Sequence, residues 1–245
     1  MTLFKKSTIA LLIATPVFLM GCDDDDKKSS NAEPVAFNLN VSDAPVDNAT
    51  SVVACFSEIE LKGENGSELF TVGGDNGAIA ENDLCTDETG NVVPGTAGID
   101  LMQFTGAQAT ALIEDTFIPA GDYSQMRLSI TPESYAMVKV VDEETGEYTG
   151  EEKQVAVTVP SNELKLDGFS ATQGNTVDFT VEFDLRKSMV NPNNSEDLVL
   201  KPRGVRLIDN NTSGHIAGII DEMLLIDNNC TNTKTFVYLY QAAGV

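Results

Sequence analysis

Tryptophan is absent from this chain of 245 residues, and histidine occurs once, at His215. One histidine gives a Ser-His-Asp relay little support. Lacking tryptophan, the chain has a weakened claim to a sugar-stacking platform, although Tyr123, Tyr135 and Tyr148 are available. Cysteine is scarce: there are four, none in a Cys-x-x-Cys pair. Structural zinc, haem attachment and a redox dithiol therefore have no motif to rest on. Basic residues are few, with 15 Lys and Arg against 38 Asp and Glu, for a formal charge of −23. Such a chain is not drawn to nucleic acid or anionic lipid by its overall field. The plain reading of the charge is a solvated surface. No glycine-rich phosphate loop follows a strand and opens a helix, so nucleotide binding is not indicated.

The N-terminus does carry a signal. Lys5 and Lys6 form a short positive region, and Ile9 to Met20 is mostly apolar. That stretch is too short and wrongly flanked for a spanning helix. It ends in Leu19-Met20-Gly21-Cys22, which resembles the lipobox of bacterial lipoproteins. The resemblance implies cleavage before Cys22, with lipid on its thiol and new amino group. The alternative is an ordinary secretory signal with a chance cysteine. Residues 22–34, opening on Asp23-Asp24-Asp25-Asp26, read as a disordered polar tether. The expected location is the bacterial cell envelope. The chain would be lipid-anchored at the periplasmic face of the inner or outer membrane, or at the cell surface.

In an exported, oxidising setting, Cys55 and Cys85 read as a disulfide, the alternative being two buried thiols. Closing that loop stabilises a fold by about 3–4 kcal/mol in the chain-entropy model. Cys230 has no spare partner.

The remaining pattern is one of strands. Val177, Phe179, Val181, Phe183 and Leu185 fall on one side of an extended chain; Asp178, Thr180, Glu182 and Asp184 fall on the other. This alternation predicts a half-buried central strand. Val35 to Val41 alternates likewise, and in Ser51 to Leu61 a change of phase near Cys55 predicts a bulge. Further strands are expected at 69–72, 124–130, 137–141, 154–159, 164–169 and 198–208, and order is expected to resume at Ile99-Asp100-Leu101. Residues 73–98, rich in Gly, Asn and Asp, read as a long excursion, and 143–152 as an acidic hairpin tip. Thr105 to Ile113, with its alanines, Leu112 and Ile113, carries the one helical signal. Tyr123, opening a strand after a glycine turn, is expected to tie a loop through its hydroxyl. The fold class predicted is all-β: an antiparallel Greek-key β-sandwich, immunoglobulin-like or prealbumin-like, with one short helix. Residues 35–210 form that domain, after a signal peptide at 1–21. Residues 214–245 are expected to open a second β module that stops short at its end, the alternative being strands that complete the first domain.

Val41-Ser42-Asp43-Ala44-Pro45-Val46-Asp47, Phe56 to Gly63, Pro119-Ala120-Gly121-Asp122-Tyr123, Leu164-Lys165-Leu166 and Phe183-Asp184-Leu185-Arg186-Lys187-Ser188 resemble the DUF4382 family. The resemblance implies an exported all-β domain and supplies no catalytic residues. The tail from Gly214 resembles the start of a prealbumin-like or carboxypeptidase-regulatory-like module.

No catalytic residues are assigned and no cofactor is expected. Asp43, Asp47, Asp75 and Asp83 are weak calcium candidates, because acids and amides on irregular loops supply the oxygen ligands calcium takes. Neither loop has an EF-hand spacing. Asp184, Arg186, Arg203 and Arg206 are expected to form a structural cross-strand charge network. The function expected is non-enzymatic binding or assembly at the envelope. Its partners would be the membrane, through the lipid anchor, and an unknown envelope protein or glycan, with no nucleic acid. Carbohydrate binding and a carboxylate-dependent envelope hydrolase are the alternatives.

Overall fold

The computed structural model describes residues 33–214 except 45, 65, 76–77, 106–107 and 193–196, together with 216, 218 and 219. The chain divides into units 1–31 and 32–245, and every described residue belongs to the second. The leader, Cys22 and all but the last two residues of the tether lie outside the described residues. So do His215, Cys230 and most of the expected second module.

Strands dominate. In chain order they are β1 (Pro34–Ala44), β2 (Ala49–Gly63), β3 (Gly66–Thr71), β4 (Ala97–Asp100), β5 (Thr110–Pro119), β6 (Gly121–Ile130) and β7 (Tyr135–Val141). There follow β8 (Tyr148–Thr158), β9 (Glu163–Leu166), β10 (Phe169–Ala171), β11 (Thr176–Asp184), β12 (Met189–Val190), β13 (Leu198–Leu200) and β14 (Val205–Asp209). A single α-helical turn, α1 (Leu185–Ser188), follows β11. One sheet has the order β14-β11-β1-β5. The other runs β10-β6-β2-β7-β8-β13-β12, with β3 and β4 on β2 and β9 on β6.

The period-2 pattern explains the first sheet. Val35, Phe37, Leu39 and Val41 of β1 are buried, as are Val177, Phe179, Val181 and Phe183 of β11. The polar residues between them are half-buried. β11 is an inner strand, as its sequence predicts. The two sheets share one core. Phe37 stacks on Phe70 at 6.1 Å and on Phe169 at 6.0 Å, and Phe169 meets Phe179 at 5.0 Å. Offset and tilted rings at these spacings add about 0.5–1.5 kcal/mol per pair beyond burial.

Three expectations need correction. The predicted helix at 105–113 is absent: Thr110 to Ile113 begin β5, antiparallel to β1. The register slips between Leu39 and Asn40, so Leu112 is an extra residue and adjacent Leu112 and Ile113 are both buried. A bulge thus imitates the apolar doublet of a helix. Among the described residues the one α-helical turn is instead α1, where the central strand was expected to end. The sheets are also not wholly antiparallel, because β1 pairs in parallel with β11 and β13 with β8. Alternation is the same for both pairing senses, so the sequence could not separate them. Finally, the strands expected at 164–169 and 198–208 are each broken. Pro202 lacks an N–H for a ladder and opens a 3₁₀ turn between β13 and β14. The bulge expected near Cys55 lies between Phe56 and Glu58.

Candidate functional site

Between β3 and β4 the chain leaves the sheet, and the Cys55–Cys85 disulfide draws it back, with Cα atoms 5.8 Å apart. Both cysteines are fully buried, beside Val53, Leu84 and Tyr135. The Asp87 carboxylate accepts from the amides of Thr89 and Asn91 at 2.8 and 3.0 Å. Together with the Thr89 hydroxyl, the first cause, these bonds hold its carboxyl below the usual range. Glu81 accepts from the Gly95 amide at 2.6 Å. Asn82 accepts from the Gly98 amide at 2.9 Å and donates to the Gly98 carbonyl at 2.8 Å. Those are the two bonds a neighbouring strand would make, so one side chain finishes the β4 edge there. Gly98 has room for nothing larger: a Cβ would sit 2.6 Å from Leu84 Cβ and 3.0 Å from Cys85 Sγ. Asp100 accepts from the amides of Val52 and Met102 and from the Gln103 side chain.

These contacts seat β4 on one flank of β2. Val53 faces Asp100 of β4 on that side and Tyr135 of β7 on the other. β5 ends the first sheet. Among the described residues, neither β4 nor β5 has a further strand on its outer side. Between them lies a cavity of about 530 Å³, walled by Ala97 to Asp100 and by Thr110, Ala111, Leu112 and Glu114. Ile79, Asn82 and Leu84 of the excursion form a third side, and Phe56 reaches it from β2. Its lining mixes apolar side chains, Phe56, Ile79, Leu84, Ile99 and Leu112 among them, with the polar groups Asn82, Asp100, Gln103, Thr110 and Glu114. No lysine or arginine lines it.

Residues 35–202, more than half of the chain, match the family model described as a domain of unknown function, DUF4382. The chain belongs to the DUF4382 family. No curated protein and no solved structure matches it. The DUF4382 region runs from β1 to the turn before β14, so both walls of the cavity and the disulfide lie within it.

In this DUF4382 domain the sequence-predicted residues go to several places. Asp43 is buried at the end of β1, 3 % exposed. Asp47, Asp75 and Asp83 are on the surface, partly or fully exposed. Among the described residues no three acids, cysteines or histidines gather to hold a metal. Asn82, also on a calcium-candidate loop, instead caps Gly98. The expected charge network divides in two. Arg206 pairs with Glu182 at 2.8 Å. Asp184 pairs with Lys187, which sequence reasoning omitted, and lies 3.9 Å from Arg186. Arg203 donates to the Lys187 carbonyl at 3.2 Å. The physical reason is α1: turning the chain after Asp184 brings Lys187, three residues on, back over it. Tyr123 donates to the Pro119 carbonyl at 2.8 Å, the loop tie its sequence position predicts. Burial pushes its hydroxyl up to about 12.

Asp43 is the electrostatic oddity of the domain. Its amide donates to the Phe104 carbonyl at 2.7 Å, but neither carboxylate oxygen completes a hydrogen bond of good geometry. Burial pushes its carboxyl up to about 7, against the pull of the Leu185 and Ala44 amides; Asp184 adds a further upward push. Asp184, chiefly through the hydrogen bond from Lys187, stays below the usual range. Neither aspartate lines the cavity between β4 and β5. The cavity residues Asn82, Gly98, Asp100 and Glu114 were not singled out as one site from the sequence. They come from three separate segments, and no spacing links them.

Proposed function

We propose that this DUF4382 protein is a lipid-anchored protein of the bacterial cell envelope with a non-enzymatic binding or assembly role, and that it binds through the cavity between β4 and β5. The observation that carries the reading is the cavity itself, a hollow of mixed apolar and polar lining between strands from two different sheets. Exposed strand edges are templates for other chains, and apolar hollows with a few polar groups are where ligands collect. The anchor rests on Leu19-Met20-Gly21-Cys22. Within the same reading the two sheets form a Greek-key sandwich of the immunoglobulin or prealbumin kind, supported by their shared core and the Tyr123 tie.

A photo-crosslinking residue at Ala111, introduced in a bacterial host, tests the site. Discrete adducts are expected there and not from the acidic hairpin at Glu144. Adducts from Glu144 alone, or from neither position, would remove the reading. Cys22→Ser should release the protein from the membrane fraction; continued membrane partitioning would remove the anchor.

One observation favours carbohydrate as a second reading. A cavity of about 590 Å³ elsewhere is lined by hydroxyl and amide side chains, Ser170, Thr172, Asn175, Thr176, Asn211 and Thr212, beside Phe179. Glycan-array binding lost on Asn175→Ala would support it, and a blank array would dismiss it.

A further inference from the structure

We infer that the cavity between β4 and β5 takes an extended polypeptide segment of a partner protein, one that alternates apolar and basic side chains and adds to β5 as a further strand. The inference rests on the site reading above and names its occupant.

Four observations converge on a strand. First, the cavity follows Thr110, Ala111 and Leu112 in succession, so it runs along the strand rather than meeting one face of it. Second, the opposite wall is already finished, because the Asn82 carboxamide takes both backbone groups of Gly98. An incoming chain therefore finds its main-chain partners on β5, the outermost strand of its sheet. Third, the usable length is bounded. Asp115 has φ +48, and its amide is taken by the Asn38 side-chain oxygen at 2.9 Å. Thr110 to Glu114 thus remain before this second irregularity, about 17 Å of chain at roughly 3.3 Å per residue, with the Leu112 bulge inside it. That length is typical of a strand.

The fourth observation is chemical. Ala111, small and exposed on β5, leaves room for the incoming side chains. Among the described residues the lining carries an exposed carboxylate, Glu114, a second one, Asp100, that already accepts three internal hydrogen bonds, and no cation. Alternate residues of an added strand point to opposite faces, so one set would enter the hollow and the other would meet the acidic rim. Charge complementarity selects lysine or arginine for that second set and rejects acids.

The test uses the purified full chain and a dye-labelled synthetic peptide about nine residues long, alternating valine and lysine, with blocked ends. Binding is read by fluorescence anisotropy at low salt, and backbone protection by hydrogen exchange. Saturable binding is expected, with slowed exchange within Thr110–Glu114. A valine–glutamate peptide should bind at least tenfold more weakly. Ala111→Trp fills the hollow and should weaken binding at least tenfold. Glu114→Lys, on the exposed rim, should weaken the lysine peptide and improve the glutamate one. The Glu114 variant keeps the test decisive even if the tryptophan disturbs the fold. No binding of the valine–lysine peptide, equal binding of both peptides, or binding without protection in β5 would each overturn the inference. If the peptides fail while crosslinks from Ala111 persist, the occupant is wrong and the site reading stands. If both fail, both fall.

Discussion

At the scale of single residues, Asp43 should dominate the pH response of the domain near neutrality. Its carboxyl is raised from 3.8 to about 7, chiefly by burial, with the nearby charges of Asp184 and Arg186 acting in opposite directions. Between those values the folded state keeps a proton that the unfolded chain has released. Stability therefore falls as pH rises from about 4 to about 7, then levels off. Asp87, Asp142, Asp184 and Glu60 are lowered instead, so their stabilisation is lost in a separate window, as pH falls through their own lowered values. Asp43→Asn should flatten the upper slope and leave the variant more stable than the parent at pH 8. Urea midpoints across pH 4–8 measure this, and an unchanged slope would assign the proton elsewhere. Glu182 and Asp184 sit two apart on one strand but differ in burial. The Glu182–Arg206 pair is largely open to water, so Glu182→Ala should cost within about 1 kcal/mol. Asp184 is 6 % exposed and Lys187 bonds to it, so Asp184→Asn should cost about 1–3 kcal/mol. Lys187 itself is exposed and can return to water, which keeps the loss below that of breaking a fully buried pair. Equal losses at the two positions would contradict this split.

Among elements, β4 and the excursion preceding it stand or fall together. Four residues of β4 pair with β2 on one side, the Asn82 side chain bonds Gly98 on the other, and the Leu84 and Cys85 side chains close against Gly98. Gly98→Ala would push a methyl group to within 2.6 Å of Leu84 Cβ. Overpacking of that kind costs about 1–3 kcal/mol. Urea unfolding should show the loss, and hydrogen exchange should show it concentrated in residues 78–100. A silent substitution would mean that the excursion is not seated on β4. At β5, the bulge that buries both Leu112 and Ile113 makes the strand unreadable as a strand, since alternation was the signal and the bulge erases it.

For the whole molecule, the long excursion raises the question of what holds it. The disulfide closes a loop of sequence separation 30. Cross-linking a loop of that size restricts the unfolded chain and stabilises the fold by about 3–4 kcal/mol. Non-reducing peptide maps should join the Cys55 and Cys85 peptides. Cys55→Ala with Cys85→Ala should lose roughly that stability while leaving Tyr123 and the shared aromatic core in place. Loss of all cooperative unfolding would instead make the disulfide a condition for the entire fold.

The sequence by itself determined the β-rich class, the inner position of β11, the cysteine pair and the Tyr123 tie. Each is written in local chemistry: a two-residue period, a cysteine count, a tyrosine after a glycine turn. Tertiary structure alone decided the rest. Parallel pairing of β1 with β11 joins segments more than a hundred residues apart, and alternation carries no information on pairing sense. Lys187 takes Asp184 because one helical turn follows the strand. The cavity exists because Asn82, Gly98 and Glu114, from three segments without a shared motif, are brought together where β4 of one sheet faces β5 of the other. Which edges pair and which stay open depends on long-range packing, and no residue pattern records it.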